Sequence, residues 1–180
     1  MPYLVAAVTI VGVIASLDLV LTLGVIRRLR EHTEQLTKLL EGHGDEVILA
    51  AGASVGEFVS TTVDGEPVSR DLLAGRTLVS FFSPQCTPCK ERMPTFIEYA
   101  VAMPGGRQQV LAVVTGRPEE TVETVAVLAP VARVVVEEDR GPMGVAFGVQ
   151  GFPAACLLDE HGTVLVSGST LDEFPAHVAV

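Results

Sequence analysis

The apolar stretch Leu78-Val79-Ser80-Phe81-Phe82 runs through Ser83-Pro84-Gln85 into Cys86-Thr87-Pro88-Cys89. A short apolar run ending in turn residues predicts a buried strand. Proline at the third position of the cysteine motif predicts the first turn of a helix, where its missing N–H costs nothing. Two cysteines separated by two residues, at the exit of a strand and the start of a helix, read as a redox-active dithiol. That combination confines the chain to a fold in which a buried strand delivers a helix N-terminus to the surface.

The spacing places both sulfurs on one helix face within bonding reach. Cys86 falls at the helix N-terminus, where free N–H groups and the dipole favour an anion, and the thiolate is the attacking form. Lys90 and Arg92 add positive charge nearby, and Glu91 partly offsets it. The expected chemistry has Cys86 attack a substrate disulfide, after which Cys89 attacks Cys86 and releases the reduced product; run in reverse, the pair oxidises substrate. Zinc would need four ligands, and beyond the motif the chain offers Cys156 and four scattered histidines. A purely structural disulfide at this spacing would be strained. No metal or cofactor is expected beyond the Cys86–Cys89 disulfide. Cys156 reads as a core thiol, with a regulatory or partner-linking role as the alternative.

With 180 residues, the chain has room for one ordinary domain and an appendage. Its net charge of −10 offers no basic face for nucleic acid. The appendage comes first. Tyr3 to Ile26 is apolar apart from Asp18 and a few Ser and Thr, and as a helix it would span roughly 36 Å against a hydrocarbon core of ~30 Å. No Lys or Arg precedes it and Arg27-Arg28-Leu29-Arg30 follows, unlike a cleaved signal peptide. Residues 1–26 are therefore expected to be a single-pass signal anchor, 27–54 a helical stalk and small-residue linker, and 55–180 the domain. Asp18 lies deep in the span, where an ionised group costs ~2.5–3.5 kcal/mol. It is either protonated in a tilted helix or paired with a polar group of a membrane partner. By the positive-inside rule, Arg27, Arg28 and Arg30 favour a cytoplasmic domain. A cytoplasmic dithiol would be kept reduced by the thiol pool and would hardly need a tether.

Within the domain, the pattern predicts a hairpin at Phe58–Val63 and Pro67-Val68 around Asp64-Gly65, then a short helix from Ser69 to Ala74. A strand at Thr77–Ser83, a helix at Cys86–Ala102 interrupted by Pro94, and a strand at Gln109–Thr115 follow. The remainder reads as a helix at Pro118–Leu128, a strand at Val134–Val136, a short helix at Gly141–Phe147 and a hairpin of Ala154–Leu158 with Val164–Ser167. A last helix, broken by Pro175, is expected over Leu171–Val180. Parallel strands with crossover helices, closed by a hairpin, give an α/β fold: a mixed sheet with helices on both faces.

On the strand and motif from Leu78 to Lys90, on Met93-Pro94, and on Gly148-Val149-Gln150-Gly151-Phe152-Pro153-Ala154 before the hairpin, the chain resembles the thioredoxin superfamily from about Val55 onward. Within it, the chain is most similar to membrane-anchored TlpA/ResA-type thiol–disulfide oxidoreductases. Phe82-Ser83-Pro84-Gln85-Cys86, with an anchor and an Arg-bearing stalk, is closest to the methylamine-utilisation accessory proteins of the MauD type. The resemblance implies a thioredoxin-like fold, a cis Phe152–Pro153 bond against the dithiol, and pairing of the Phe152 backbone with a substrate chain. Thr87 and Pro88 would tune the potential. It also implies a domain outside the cytoplasm, acting on protein or peptide thiols and disulfides, with electrons passed by a membrane partner. Maturation of one disulfide-bearing client is the expected role. The alternatives are a cytochrome-c-maturation reductase and a redox-inactive client-binding module. Three departures stand out: Gln85 replaces the usual Trp, Ser80 replaces thioredoxin's buried Asp, and Arg92 replaces the acidic residue of ResA-like proteins. Neither usual carboxylate relay is present, which favours a narrow partner.

Overall fold

The computed structural model describes residues 47–73 and 75–175. A hairpin of β1 (Val59–Thr61) and β2 (Pro67–Ser69) precedes a sheet built from β3 (Thr77–Phe82), β4 (Val110–Thr115), β5 (Arg133–Glu137), β6 (Ala154–Leu158) and β7 (Val164–Gly168). Helices α1 (Thr87–Val101), α2 (Pro118–Leu128) and α3 (Pro142–Ala146) link these strands. The sheet order is β5-β4-β3-β6-β7, so the strand leading to the cysteine motif is central. All six residues of β3 are buried, as its apolar run requires. It pairs in parallel with β4 and antiparallel with β6.

Alternation along β3 divides the core in two. Val79 and Phe81 pack on one face with Phe58, Met143, Phe147 and Cys156. Leu78 and Phe82 pack on the other with Cys89, Phe96, Ala100 and Leu128. The crossovers β3-α1-β4 and β4-α2-β5 put α1 and α2 on this second face, and the hairpin and α3 close the first. The expected mixed sheet with helices on both faces is what forms.

Several expectations shift in detail. Cys86 stays extended and caps α1, which therefore begins at Thr87 and continues through Pro94. The short helix after the hairpin is a 3-10 turn at Arg70–Leu72. Residues 47–54, read as linker, pack onto the domain. Ile48 is buried, Leu49 N donates to Phe147 O, and the Gln150 N–H is satisfied by Val47 O. Isoleucine and leucine amid small residues find an apolar face there, and burial outweighs the linker-like composition. Residues 171–175 form a turn and not the start of a helix. Phe174 buries against the second core with its ring edge-on to Tyr99, and Pro175 then removes a helical donor. The anchor, Asp18, Arg27, Arg28, Arg30 and most of the stalk lie outside the described residues. Among the described residues no helix is long and apolar enough to cross a membrane.

Candidate active site

Strand β3 ends at Phe82, and Ser83-Pro84-Gln85 turns the chain so that Cys86 meets the N-terminus of α1. The turn is held by Cys86 N donating to Ser83 O at 3.1 Å. Cys86 takes the place usually held by Ser, Thr or Asp: its Sγ accepts the Cys89 N–H at 3.3 Å. Pro88 occupies the first helical turn beside Thr87, and both side chains are exposed.

The two sulfurs are unequal. Cys86 is half-buried, whereas Cys89 is wholly shielded, and both are free thiols. Burial above all, then the hydrogen bond with Cys86, pushes the Cys89 thiol up to about 12. The accessible sulfur is thus the one at the helix N-terminus. Its buried neighbour stays protonated until something draws the proton away.

The loop before β6 completes the site. Phe152–Pro153 is a cis peptide. The Cys86 thiol donates to Phe152 O at 3.5 Å, so this loop's backbone touches the accessible sulfur directly. Phe152 packs against both core clusters, and Pro153 is buried. Ser80 is also buried; its hydroxyl donates to Ala154 O at 3.2 Å and ties the loop to β3. Cys86, Cys89, Phe152 and Pro153 therefore converge from α1 and the pre-β6 loop. Cys156 sits on the opposite face of the sheet, 0% exposed, with its thiol raised by burial.

Two cavities lie along the Phe152–Pro153 segment, one lined by Phe152 and the other by Pro153. One, of about 640 Å³, lies toward Phe81, Arg140, Gly148 and Gln150. The other, of about 270 Å³, reaches from Ser80 and Pro153 past Arg92 and Thr95 to Ser169 and Asp172. Arg92 donates to Ser169 O at 3.2 Å and so joins α1 to the turn after β7. The sequence reading did not select Asp172. It lies far from the motif in the chain, and only the folding of the terminal turn against α1 brings it in. Among the described residues, no group of three or more His, Cys, Asp or Glu is placed to hold a metal ion.

An accessible thiol beside a shielded one, with a carbonyl at the first sulfur, is an arrangement for thiol–disulfide exchange. No family model matches the chain. Among curated proteins it is similar to the thiol-disulfide oxidoreductase ResA of Geobacillus thermodenitrificans, 26% identical over 133 residues, or 72% of this chain and 76% of the relative. It is also similar to the sporulation thiol-disulfide oxidoreductase A of Bacillus subtilis, 23% identical over 110 residues, or 59% and 67% of the two chains. Among solved structures, the thioredoxin domain of a thiol-disulfide oxidoreductase from Bacteroides vulgatus superposes with a TM-score of 0.56 at 21% identity, covering 66% of this chain and 88% of that one. A thio-disulfide isomerase from Thermus thermophilus gives 0.53 at 19% identity, covering 73% and 89%.

Proposed function

We propose that the chain is a thioredoxin-like thiol–disulfide oxidoreductase of the TlpA/ResA type, tethered to a membrane and serving a restricted protein client outside the cytoplasm. Cys86 attacks the client disulfide and Cys89 resolves the mixed disulfide, leaving the Cys86–Cys89 disulfide as the oxidised state. The Phe152 backbone beside Pro153 holds the client chain, and Thr87 and Pro88 shape the first turn. The observation that carries this reading is the inequality of the sulfurs: Cys86 is half-buried and 3.5 Å from Phe152 O, whereas Cys89 is 0% exposed. The apolar segment Tyr3–Ile26 supports the tether. Gln85, Ser80 and Arg92, where the resemblance implies a Trp and two carboxylates, support a client-restricted, MauD-like role.

Cys89→Ser tests the reading, because it leaves the mixed disulfide at Cys86 with no resolving thiol. In intact cells, the full-length variant should accumulate one disulfide-linked client in the membrane fraction, and Cys86 should react with a membrane-impermeant thiol reagent. A spread of many unrelated adducts would overturn the restricted client. Labelling of Cys86 only after lysis would overturn the extracytoplasmic site. No adduct at all would leave a redox-inactive binding module.

A further inference from the structure

Resolution of the mixed disulfide requires Cys89 to lose a proton, and Cys89 lies 0% exposed among apolar side chains. Ser80, on the strand before the motif, and Arg92, one turn after Cys89, supply no carboxylate. The 270 Å³ cavity is not lined by Cys89 itself but approaches it through shared neighbours. Arg92 and Thr95 line it from the helix that carries Cys89, Arg92 one turn further along. Phe82, Phe96 and Ala155 also line it and share the packed cluster of Cys89. Its remaining wall is polar: Ser80, Ser169, Thr170 and Asp172. A volume of this size holds several waters at about 30 Å³ each, and the wall offers them hydrogen-bond partners.

We propose that this cavity is the proton exit for Cys89, and that Asp172 receives the proton through water. The inference rests on the dithiol reading above. Among the described residues the charged groups lining the cavity are Arg92, from α1, and Asp172, from the turn after β7; β3 and β6 contribute none. The titratable neighbour of Cys89 itself is Cys86. Arg92 is tied to Ser169 O, which holds α1 against the turn that carries Asp172. In the step, the Cys89 S–H proton passes along water to the Asp172 carboxylate. The Cys89 sulfur bonds to the Cys86 sulfur, the bond between Cys86 and the client breaks, and the client leaves as a thiolate. Two electrons have moved from the dithiol to the client disulfide, and Asp172 returns its proton to solvent. Asp172 acts at one remove and does not touch the client.

The test uses the reduced full-length protein and dithiobis(nitrobenzoate) in stopped flow. The first nitrothiolate released reports attack by Cys86, and the second reports resolution by Cys89. Asp172→Asn should leave the first phase unchanged and slow the second by about fivefold at pH 7. That is below the usual range for general bases because Asp172 acts at one remove, through water. The second phase should also become proportional to hydroxide between pH 6 and 9. Adding Arg92→Glu to Asp172→Asn places a carboxylate back in the same cavity and should restore the second phase, which a merely structural role for Asp172 would not allow. An unchanged second phase in Asp172→Asn, or no rescue by Arg92→Glu, would overturn the proposal. Absence of a second phase in the unaltered protein would overturn the dithiol reading beneath it.

Discussion

Cys156 and Cys89 are both 0% exposed, but they occupy opposite faces of the sheet and keep different company. Cys156 lies on β6 opposite Val79, in a cluster with Phe81, Phe147 and Met143. Burial raises its thiol, and among the described residues its cluster holds no second cysteine. Cys89 is packed against Phe82 and Phe96, but its amide donates to a half-buried sulfur and a polar-walled cavity lies one helical turn away. Burial alone makes an inert thiol. What makes a buried thiol useful is a partner sulfur on one side and a route for its proton on the other.

The sharpest way to break this comparison is to remove each sulfur in turn. Cys89→Ala should abolish the reversible two-electron couple, read by titration against a glutathione buffer. Cys156→Ala should leave that couple in place and the exchange rate within about twofold, with a loss of stability of roughly 1–2 kcal/mol for the vacated volume. Loss of the couple in Cys156→Ala would give that thiol a redox role and erase the distinction between the faces.

Polar groups divide in the same way. Glu137 closes β5 at 7% exposure, and its oxygens accept from Met143 N at 3.1 Å, Gly144 N at 3.3 Å and Ser60 Oγ at 3.3 Å. Gly141 is needed beside it, because a Cβ there would come within 2.5 Å of Glu137 Oε2. This carboxylate is committed to holding α3 and Ser60 against the sheet, on the face opposite the cavity that Asp172 lines. Glu137→Ala leaves buried N–H groups without an acceptor and should cost about 1–3 kcal/mol in chemical denaturation. The nitrothiolate phases of the refolded protein should not change. A slowed second phase would link this carboxylate to the dithiol and undo the division.

The parts of the molecule governed by local pattern were legible in the sequence. The apolar run of β3, Pro118 opening α2, the hairpin turn at Asp64-Gly65 and the cysteine motif depend on residues adjacent in the chain. The cis bond at Phe152–Pro153 was implied by resemblance and is present. Features made by distant packing were not legible. Ile48 and Leu49 sit in a segment of linker-like composition, and their burial depends on α3 and Phe147. Glu137 lies in an acidic run, Glu137-Glu138-Asp139, where nothing local distinguishes the buried carboxylate from its exposed neighbours. Asp172 joins the cavity because Phe174, two residues on, is drawn into the core and folds the turn against α1.

The smallest expected effect concerns stability at high pH, where both buried thiols act together. A free thiol ionises near pH 9.0, whereas Cys89 in the fold keeps its proton up to about 12, and Cys156 is shifted the same way. Above pH 9 the unfolded chain has released protons that the folded chain still binds. The folded state then carries the larger number of protons, so stability falls as pH rises. One such thiol contributes a slope of at most ~1.4 kcal/mol per pH unit. Lys and Tyr also titrate in this range, so the informative quantity is the difference between variants. Between pH 8 and 10.5, the midpoint of thermal unfolding should fall less steeply for reduced Cys156→Ala than for the reduced parent. Oxidation of the parent should flatten the curve by a similar step, because the Cys86–Cys89 disulfide has no thiol proton to retain. Equal slopes for all three forms would mean that neither thiol is held protonated by the fold, and the two faces would then differ in packing alone.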